Sequence, residues 1–134
     1  MKLSGSIADR LEIQELYARY GSASSRGDRE GWLACWADDA VWASHIFDCR
    51  GKAQIEKQYL EIMSAFDKLY FSSQLGPVEI DGETAKAQSQ AMEIAHFKAG
   101  GFFKLAGVYE DTLARRDGDW LFIRREYQPV VQDF

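Results

Sequence analysis

The sequence has few cysteines and no long apolar segment, and each shortage excludes a class of protein. Its two cysteines, Cys35 and Cys49, have the spacing of neither a zinc site nor a redox pair. No apolar run approaches the roughly 20 residues that span a bilayer. The N-terminal residues lack the apolar core of a signal peptide. These absences predict a reduced, cytoplasmic protein that does not enter membranes.

Positive charge is also scarce. Lysine and arginine total 16 against 21 aspartate and glutamate residues, which gives a net charge of -5, and the basic residues form no stripe. A chain of this kind is a poor partner for nucleic acid or anionic membranes. No spacing of histidine, cysteine and carboxylate residues supports a metal site, and Asp38-Asp39 is better explained as the end of a short helix. Neither a metal nor a cofactor is expected.

Hydrophobic and aromatic residues, in contrast, are plentiful. They make up 46% and 13% of the 134 residues, and four of them are tryptophans. A chain of this length forms one domain, over residues 1–134, and buries about two thirds of its unfolded surface. So many aromatic side chains indicate either a crowded core or an aromatic-lined cavity.

Helical periodicity is confined to the N-terminal half. It predicts a first helix over residues 6–26 with Ser6 at its N-cap, a short second helix that begins after Asp28, and a third helix over residues 52–69. A strand over residues 41–47 is predicted between the second and third helices.

From Tyr70 onward the pattern is that of strands. Long strands are predicted over residues 85–97 and 102–116, and Asp117-Gly118 is a turn dipeptide after which residues 120–123 pair back. Helices followed by antiparallel strands predict an α+β architecture with the helices on one face of a curved sheet.

Three segments carry a resemblance to a known family. They are the stretch from Ile13 to Trp42, VEIDGETAKAQ at residues 78–88, and GVYEDTLARRDGDW at residues 107–120. Together they resemble the SnoaL-like branch of the nuclear-transport-factor-2-like superfamily. The resemblance implies a cone-shaped barrel, in which three N-terminal helices pack into a strongly curved, mixed or antiparallel sheet around one deep apolar pocket. It also implies a homodimer or homotrimer.

The lyases of this family, among them scytalone dehydratase and hexachlorocyclohexane dehydrochlorinase, imply a particular pair of catalytic positions. They pair a carboxylate near the end of the first helix with a histidine on the first long strand, because abstracting a proton from carbon requires an oriented base. The matching positions here are Ser25 and Phe71. Neither residue is a general base. The resemblance therefore predicts the pocket but not the usual chemistry.

Strand alternation places other polar side chains in the predicted pocket. If Tyr109 faces inward, as the resemblance implies, then Ile123, Arg125 and Tyr127 on the last strand do so as well. Glu93 faces inward on its own strand. Two interpretations of Glu93 and Arg125 remain open: a buried ion pair that only organises the fold, or a base and an anion-binding group.

The candidate catalytic residues are therefore Glu93 as base, Arg125 as the group that holds an oxygen anion, and Tyr20 or His45 as assistants. Alternation directs His45 and His96 away from the pocket, but a single bulge would reverse either assignment, and His45 lies nearer the predicted mouth. Tyrosines at core-facing positions are often only packing residues, and a solvated strand position fits His45 better than a catalytic one. The predicted substrate-binding residues are Ser25, Trp42, Ile62, Phe66, Phe71, Tyr109 and Tyr127.

The predicted function is a cofactor-independent lyase or isomerase. Its substrate would be a small apolar cyclic or aromatic molecule, and the reaction an elimination, an isomerisation or a carbon–carbon cleavage. The alternative is a non-catalytic small-molecule-binding or assembly subunit with the same fold. Met92, Ile94 and Val108 on the outer face of the sheet predict association of identical subunits.

Overall fold

The computed structural model describes residues 2–133, in which three helices pack on one six-stranded sheet. The helices are α1 (Ile7–Arg26), α2 (Arg29–Leu33) and α3 (Lys52–Met63). The strands are β1 (Trp36–Ala43), β2 (Asp48–Arg50), β3 (Phe66–Asp81), β4 (Thr84–Phe97), β5 (Phe102–Arg116) and β6 (Asp119–Asp133).

Local sequence explains where α1 begins and ends. The Ser6 hydroxyl accepts a hydrogen bond of 3.0 Å from the Asp9 amide at the N-terminus. Gly27 closes the other end in the left-handed region with a φ of 66°, which favours glycine. Asp28 then caps α2 by accepting from the Gly31 amide. The predicted caps at Ser6 and Asp28 are confirmed.

Several boundaries differ from the prediction: β1 ends at Ala43 and not at residue 47, and the last strand spans Asp119–Asp133 and not only residues 120–123. Two further differences concern segments that were predicted as helix. The first strand begins at Trp36, so Asp38 and Asp39 lie within β1 and not at the end of a helix. The third helix ends before Phe66, which instead opens β3. In both segments apolar residues keep a helical spacing, but pairing of β1 with β6 and of β3 with β4 decides the conformation.

The strands are ordered β2-β1-β6-β5-β4-β3, and the sheet remains open at β2 and β3. All neighbours are antiparallel except β1 and β6, which run parallel. The sheet is therefore mixed, and the helices cover its inner face. This arrangement is the cone-like α+β fold that the sequence predicts.

One irregularity decides which side chains of β6 face inward. Leu113 pairs with Phe122 and Thr112 pairs with Arg124, so Ile123 is an extra residue on β6. Phe122 before this bulge and Arg125 after it are both fully buried, which strict alternation does not permit. Contrary to the prediction, Ile123 is only half-buried and does not continue the face that Arg125 occupies.

Aromatic side chains form the centre of the core. The ring of Tyr20 lies within 6.2 Å of the rings of Trp32, Trp36, Phe71 and Phe122, measured between centroids. Edge-on and tilted packing of this kind stabilises a core beyond the effect of area burial alone.

No helix within residues 2–133 is long and apolar enough to cross a membrane.

The outer face of the sheet carries exposed apolar side chains. Met92, Ile94 and Val108 are 49%, 37% and 37% exposed, which confirms that they point outward. Tyr70 and Val130 extend the same apolar surface. Association of subunits through this face stays a prediction.

Candidate active site in a two-chamber cavity

The cone encloses a cavity with two chambers. The outer chamber has a volume of about 450 Å³ and opens beside the loop of residues 44–47, which joins β1 to β2. The inner chamber has a volume of about 60 Å³ and lies deeper, among α1, α2 and α3. The side chains that line both chambers, and therefore form the junction, are Trp42, Ile62, Glu93 and Tyr109.

Most of the predicted site residues line this cavity. The outer chamber brings together Trp42, Ile62, Phe66, Glu93, Tyr109 and Tyr127, with His45 at the mouth. Tyr20 and Phe71 line the inner chamber. Ser25 and Arg125 are not among the lining residues of either chamber.

The two positions that the resemblance assigns to a catalytic dyad, Ser25 and Phe71, do lie together. The Ser25 hydroxyl accepts a hydrogen bond of 2.8 Å from the Phe71 amide and donates one of 3.0 Å to the Phe71 carbonyl. Because β3 is an edge strand, these backbone groups have no neighbouring strand on that side. Ser25 thus ties α1 to the sheet, and its hydroxyl is fully engaged.

The Ser25→Ala variant should therefore lose stability rather than reveal a catalytic role. Removing the hydroxyl leaves the Phe71 amide and carbonyl without their partner, which should lower the free energy of unfolding by about 1–2 kcal/mol. Urea titration measures this loss. Ser22→Ala is the control, because its hydroxyl meets only Arg26 on the exposed side of the same helix. Equal losses in both variants would contradict the assigned role of Ser25.

Glu93 is the carboxylate at the junction of the chambers. It lies on β4, directly across from Phe71 on β3 and Leu105 on β5. Its carboxylate forms no hydrogen bond or ion pair with any other residue from 2 to 133. Burial raises the pKa of Glu93 to about 7, although the charge of Arg125 acts in the opposite direction. Near neutral pH this carboxylate is therefore a base that can readily exchange a proton.

Arg125 pairs with Asp111 and not with Glu93, so of the two interpretations that the sequence left open, the buried Glu93–Arg125 ion pair is wrong. Its Nε and Nη2 atoms donate to the two carboxylate oxygens of Asp111 at 2.8 and 3.2 Å. Nη2 also donates to the hydroxyl of Ser89 at 3.1 Å, and that hydroxyl donates to Asp111 at 3.0 Å. The hydroxyl of Tyr17 completes the network as a further donor to Asp111. This buried network leaves Glu93 unpaired.

The guanidinium of Arg125 lies behind the aromatic wall of the cavity. Its central carbon is 3.8 Å from the ring centroid of Tyr109 and 4.6 Å from that of Tyr20. The side chain is fully buried, and its Nη1 atom has no hydrogen-bond partner within residues 2–133. A molecule in the cavity would meet the ring of Tyr109 first. Arg125 therefore acts on the cavity through its electric field and not by direct contact.

Tyr127 presents a hydroxyl at the outer chamber. Its ring packs on Tyr109 with 4.8 Å between centroids. Gly107 makes room for it, because a Cβ atom at that position would lie 2.3 Å from the Tyr127 hydroxyl oxygen. Burial and the nearby charge of Glu93 both raise the pKa of Tyr127. The hydroxyl therefore stays protonated at neutral pH and can donate a hydrogen bond.

The two histidines occupy different positions. Because β1 ends at Ala43, His45 lies in the following loop, where strand alternation no longer applies, and its exposed side chain lines the mouth. His96 pairs with Asp67 across β3 and β4 at 2.9 Å and lines neither chamber. Of the two, only His45 is placed to meet a molecule that enters the cavity.

Sequence reasoning missed Asp111, Ser89 and Tyr17. A signal for Asp111 was available, because it shares the inward face of β5 with Tyr109, and a buried aspartate requires a positively charged or donor partner.

Across residues 2–133 no three histidine, cysteine or carboxylate side chains are grouped so that they could hold a metal ion.

Comparison with known proteins agrees with the fold. A model of the SnoaL-like domain matches residues 5–126. No functionally curated protein matches the sequence significantly.

Solved structures share the fold at low sequence identity. A protein from Novosphingobium aromaticivorans that is assigned by name to the scytalone dehydratases is 19% identical, with a TM-score of 0.87 over 95% of this chain and 87% of its own. A hexachlorocyclohexane dehydrochlorinase from Novosphingobium barchaimii is 18% identical, with a TM-score of 0.82 over 95% and 90%. A protein of unknown function from Mycobacterium tuberculosis is 25% identical, with a TM-score of 0.80 over 93% and 78%.

Proposed function

Because the chain belongs to the SnoaL-like domain family, we propose that it is a cofactor-independent lyase or isomerase acting on a small apolar cyclic or aromatic molecule. The single observation that carries this proposal is Glu93, a carboxylate that has no hydrogen-bond or ion-pair partner within residues 2–133 and lies at the junction of the chambers in a mainly apolar cavity. A buried base whose pKa lies near the working pH is what proton abstraction from carbon requires.

In the proposed reaction the Glu93 carboxylate removes a proton from a substrate carbon. For an elimination, the electron pair of the broken C–H bond forms the new double bond while a leaving group departs from the neighbouring carbon. For an isomerisation, the proton held by Glu93 returns to a different carbon. Neither route oxidises or reduces the substrate overall, so neither needs a redox partner. For the alternative carbon–carbon cleavage, Glu93 would remove a proton from a hydroxyl group instead. That oxygen would form a carbonyl as the adjacent carbon–carbon bond breaks, and the released carbanion would take the proton back from Glu93.

The surrounding residues have supporting roles in this proposal. Tyr127 donates a hydrogen bond to a substrate oxygen or to the leaving group. Arg125, held behind Tyr109 by Asp111, stabilises negative charge that develops in the cavity through its electric field. Tyr20, whose pKa burial raises to about 12, remains a neutral donor at the inner chamber. His45, exposed at the mouth, assists by contacting the entering molecule.

The names of two structural relatives support the reaction class. A scytalone dehydratase eliminates water, and a hexachlorocyclohexane dehydrochlorinase eliminates hydrogen chloride. The catalytic positions that the resemblance implies are occupied here by Ser25 and Phe71, so the base would have moved to Glu93. It lies on the adjacent strand, directly across from Phe71. Because the proposed base differs from that of the relatives, we expect the substrate to differ as well.

Deuterium exchange tests proton abstraction before the substrate is known. Small cyclic ketones such as cyclohexanone and 2-methylcyclohexanone are incubated with the protein in deuterated water, and incorporation is followed by NMR. We expect exchange that depends on the protein and falls by about 100-fold or more in Glu93→Gln, since general bases contribute about 10²–10⁴-fold. Scytalone and hexachlorocyclohexane are assayed in parallel.

The pH dependence of this exchange is a second, independent prediction. The active form of Glu93 is the ionised one, so the rate should rise about tenfold per pH unit below the pKa of about 7 and level off above it. His96→Ala is the control, because His96 pairs with Asp67 and lines neither chamber, so its removal should leave the pH profile in place. A rate that does not vary between pH 5 and 8 would rule out Glu93 as the base.

A non-catalytic binding or assembly subunit is the second candidate. The hydrogen bonds between Ser25 and the Phe71 backbone favour it, because they use the family's catalytic positions to join helix and sheet. This candidate predicts that cyclic molecules bind in the cavity with no exchange above the background rate. The exposed apolar outer face, including Met92 and Val130, supports assembly as a homodimer or homotrimer in either case, and we propose a cytoplasmic location.

A further inference from the structure

Apart from Tyr20 and the residues it shares with the outer chamber, the lining of the inner chamber has no part in the proton transfer described above. The inner chamber's volume of about 60 Å³ is well below the roughly 150 Å³ of a cavity that holds benzene. The outer chamber, at about 450 Å³, is large enough for a ring. A ring therefore fits only in the outer chamber, and only a small group attached to it can enter the inner one.

The lining of the inner chamber is mainly apolar. Its wall includes Leu69, Phe71, Met63 and Trp32. Ser24 is its one serine, and the Ser24 hydroxyl is already engaged as a donor to the Tyr20 carbonyl at 2.7 Å. The other polar side chains that line it are Tyr20, Tyr59, Tyr109 and Glu93, and aliphatic and aromatic side chains form the rest of the wall. An apolar group that enters the chamber therefore gains contact area against a largely apolar wall.

Glu93 lies where the two chambers meet and lines both. A molecule with its ring in the outer chamber and a substituent in the inner one must cross this junction. The carbon that carries the substituent, or its neighbour in the ring, is then the carbon closest to the carboxylate. The cavity thus has the shape to select which carbon meets the base.

We propose that the inner chamber is a subsite for a small apolar substituent, of one to about three heavy atoms, on a ring bound in the outer chamber. The subsite sets both the size of that substituent and the position at which the ring is deprotonated. This inference rests on the proposed function only for the role of Glu93, and the binding step can be tested without turnover.

Binding of alkylbenzenes tests the subsite directly. Benzene, toluene, ethylbenzene, isopropylbenzene and tert-butylbenzene are titrated by calorimetry into the wild-type protein. Affinity should rise about fourfold for each added carbon, as expected for about 0.8 kcal/mol per buried CH₂. It should then fall at tert-butylbenzene, whose substituent exceeds the chamber.

Two matched variants separate the chambers. Leu69 lines only the inner chamber and Leu105 only the outer one, so the same leucine-to-alanine change can be made in each. Leu69→Ala should move the size limit upward, so that tert-butylbenzene binds at least as well as ethylbenzene. Leu69→Phe should remove the gain from benzene to ethylbenzene. Leu105→Ala should change all five affinities by a common factor and leave the size limit in place.

Several results would overturn the subsite. One is an affinity that rises steadily through tert-butylbenzene in the wild type, and another is a size limit that moves equally in Leu69→Ala and Leu105→Ala. Thermal unfolding checks that each variant is folded, and Leu69→Val, which should move the limit by a smaller amount, replaces any variant that is not. The series is repeated with Glu93→Gln. An unchanged size limit together with normal deuterium exchange in that variant would refute the proposed base while supporting the subsite.

Discussion

Replacing Glu93 with glutamine should make the protein more stable above pH 7, by about 2 kcal/mol, while it abolishes proton abstraction. The raised pKa of about 7 against an ordinary value of 4.5 means that the folded state disfavours the charged carboxylate. If this difference in pKa were converted in full to unfolding free energy, at about 1.4 kcal/mol per pKa unit, the effect would exceed 3 kcal/mol. The side chain is partly accessible through the cavity, so solvent screening reduces the expected effect to about 2 kcal/mol.

The sign of this effect follows from proton binding. Between pH 4.5 and 7 the folded protein keeps the proton of Glu93 while the unfolded chain releases it. The stability present below pH 4.5 is therefore lost as the pH rises through 7. Wild type and Glu93→Gln should unfold at nearly the same urea concentration near pH 4.5 and separate progressively up to pH 8.

An exposed glutamate on a neighbouring strand provides the control. Glu79 lies on β3 with its side chain in solvent, so Glu79→Gln should follow the wild type at every pH. Two parallel stability curves for wild type and Glu93→Gln would show that the carboxylate is not disfavoured in the folded state. A stabilising substitution that removes activity is expected where a strained group performs the chemistry.

Much of the fold could be predicted from the sequence, because its signals are local. The hairpin turn at Asp117-Gly118 shows this, since both residues adopt positive φ, 52° and 86°, as its dipeptide predicts. The helix caps and the boundaries of the strand from Phe102 to Arg116 have the same origin. Trp36 and Phe66 were wrongly predicted to be helical, because their conformation depends on pairing with strands distant in sequence.

The candidate site was predictable only in part. Alternation gave the inward direction of Glu93 and Tyr109, because their strands are regular. The partner of Arg125 was not predictable, because counting back from the turn pairs Asp111 with Arg124. The extra residue Ile123 shifts the register, so that Asp111 faces Arg125 instead. That shift gives Arg125 a partner other than Glu93.

The pair of Asp111 and Arg125 should be the most costly interaction in the protein to break from one side. Both side chains are at least 97% buried, since Asp111 is 3% and Arg125 0% exposed. Asp111→Leu leaves a buried guanidinium without its carboxylate, and Arg125→Met leaves a buried carboxylate without its guanidinium. Each variant should lose about 3–5 kcal/mol of unfolding free energy. Arg124→Met, which removes only an exposed pair with Glu126, should lose about 1 kcal/mol or less.

The double variant distinguishes an ion pair that stabilises the fold from two buried charges that only compensate each other. If the loss comes from an uncompensated charge, Asp111→Leu combined with Arg125→Met should be more stable than either single variant, because no charge remains buried. Additive losses would contradict this explanation.

The same variants test the link to Glu93, because Arg125 lowers the pKa of Glu93 against the effect of burial. Without that charge, the pH midpoint of deuterium exchange in Arg125→Met should move above 7, whereas Arg124→Met should leave it in place.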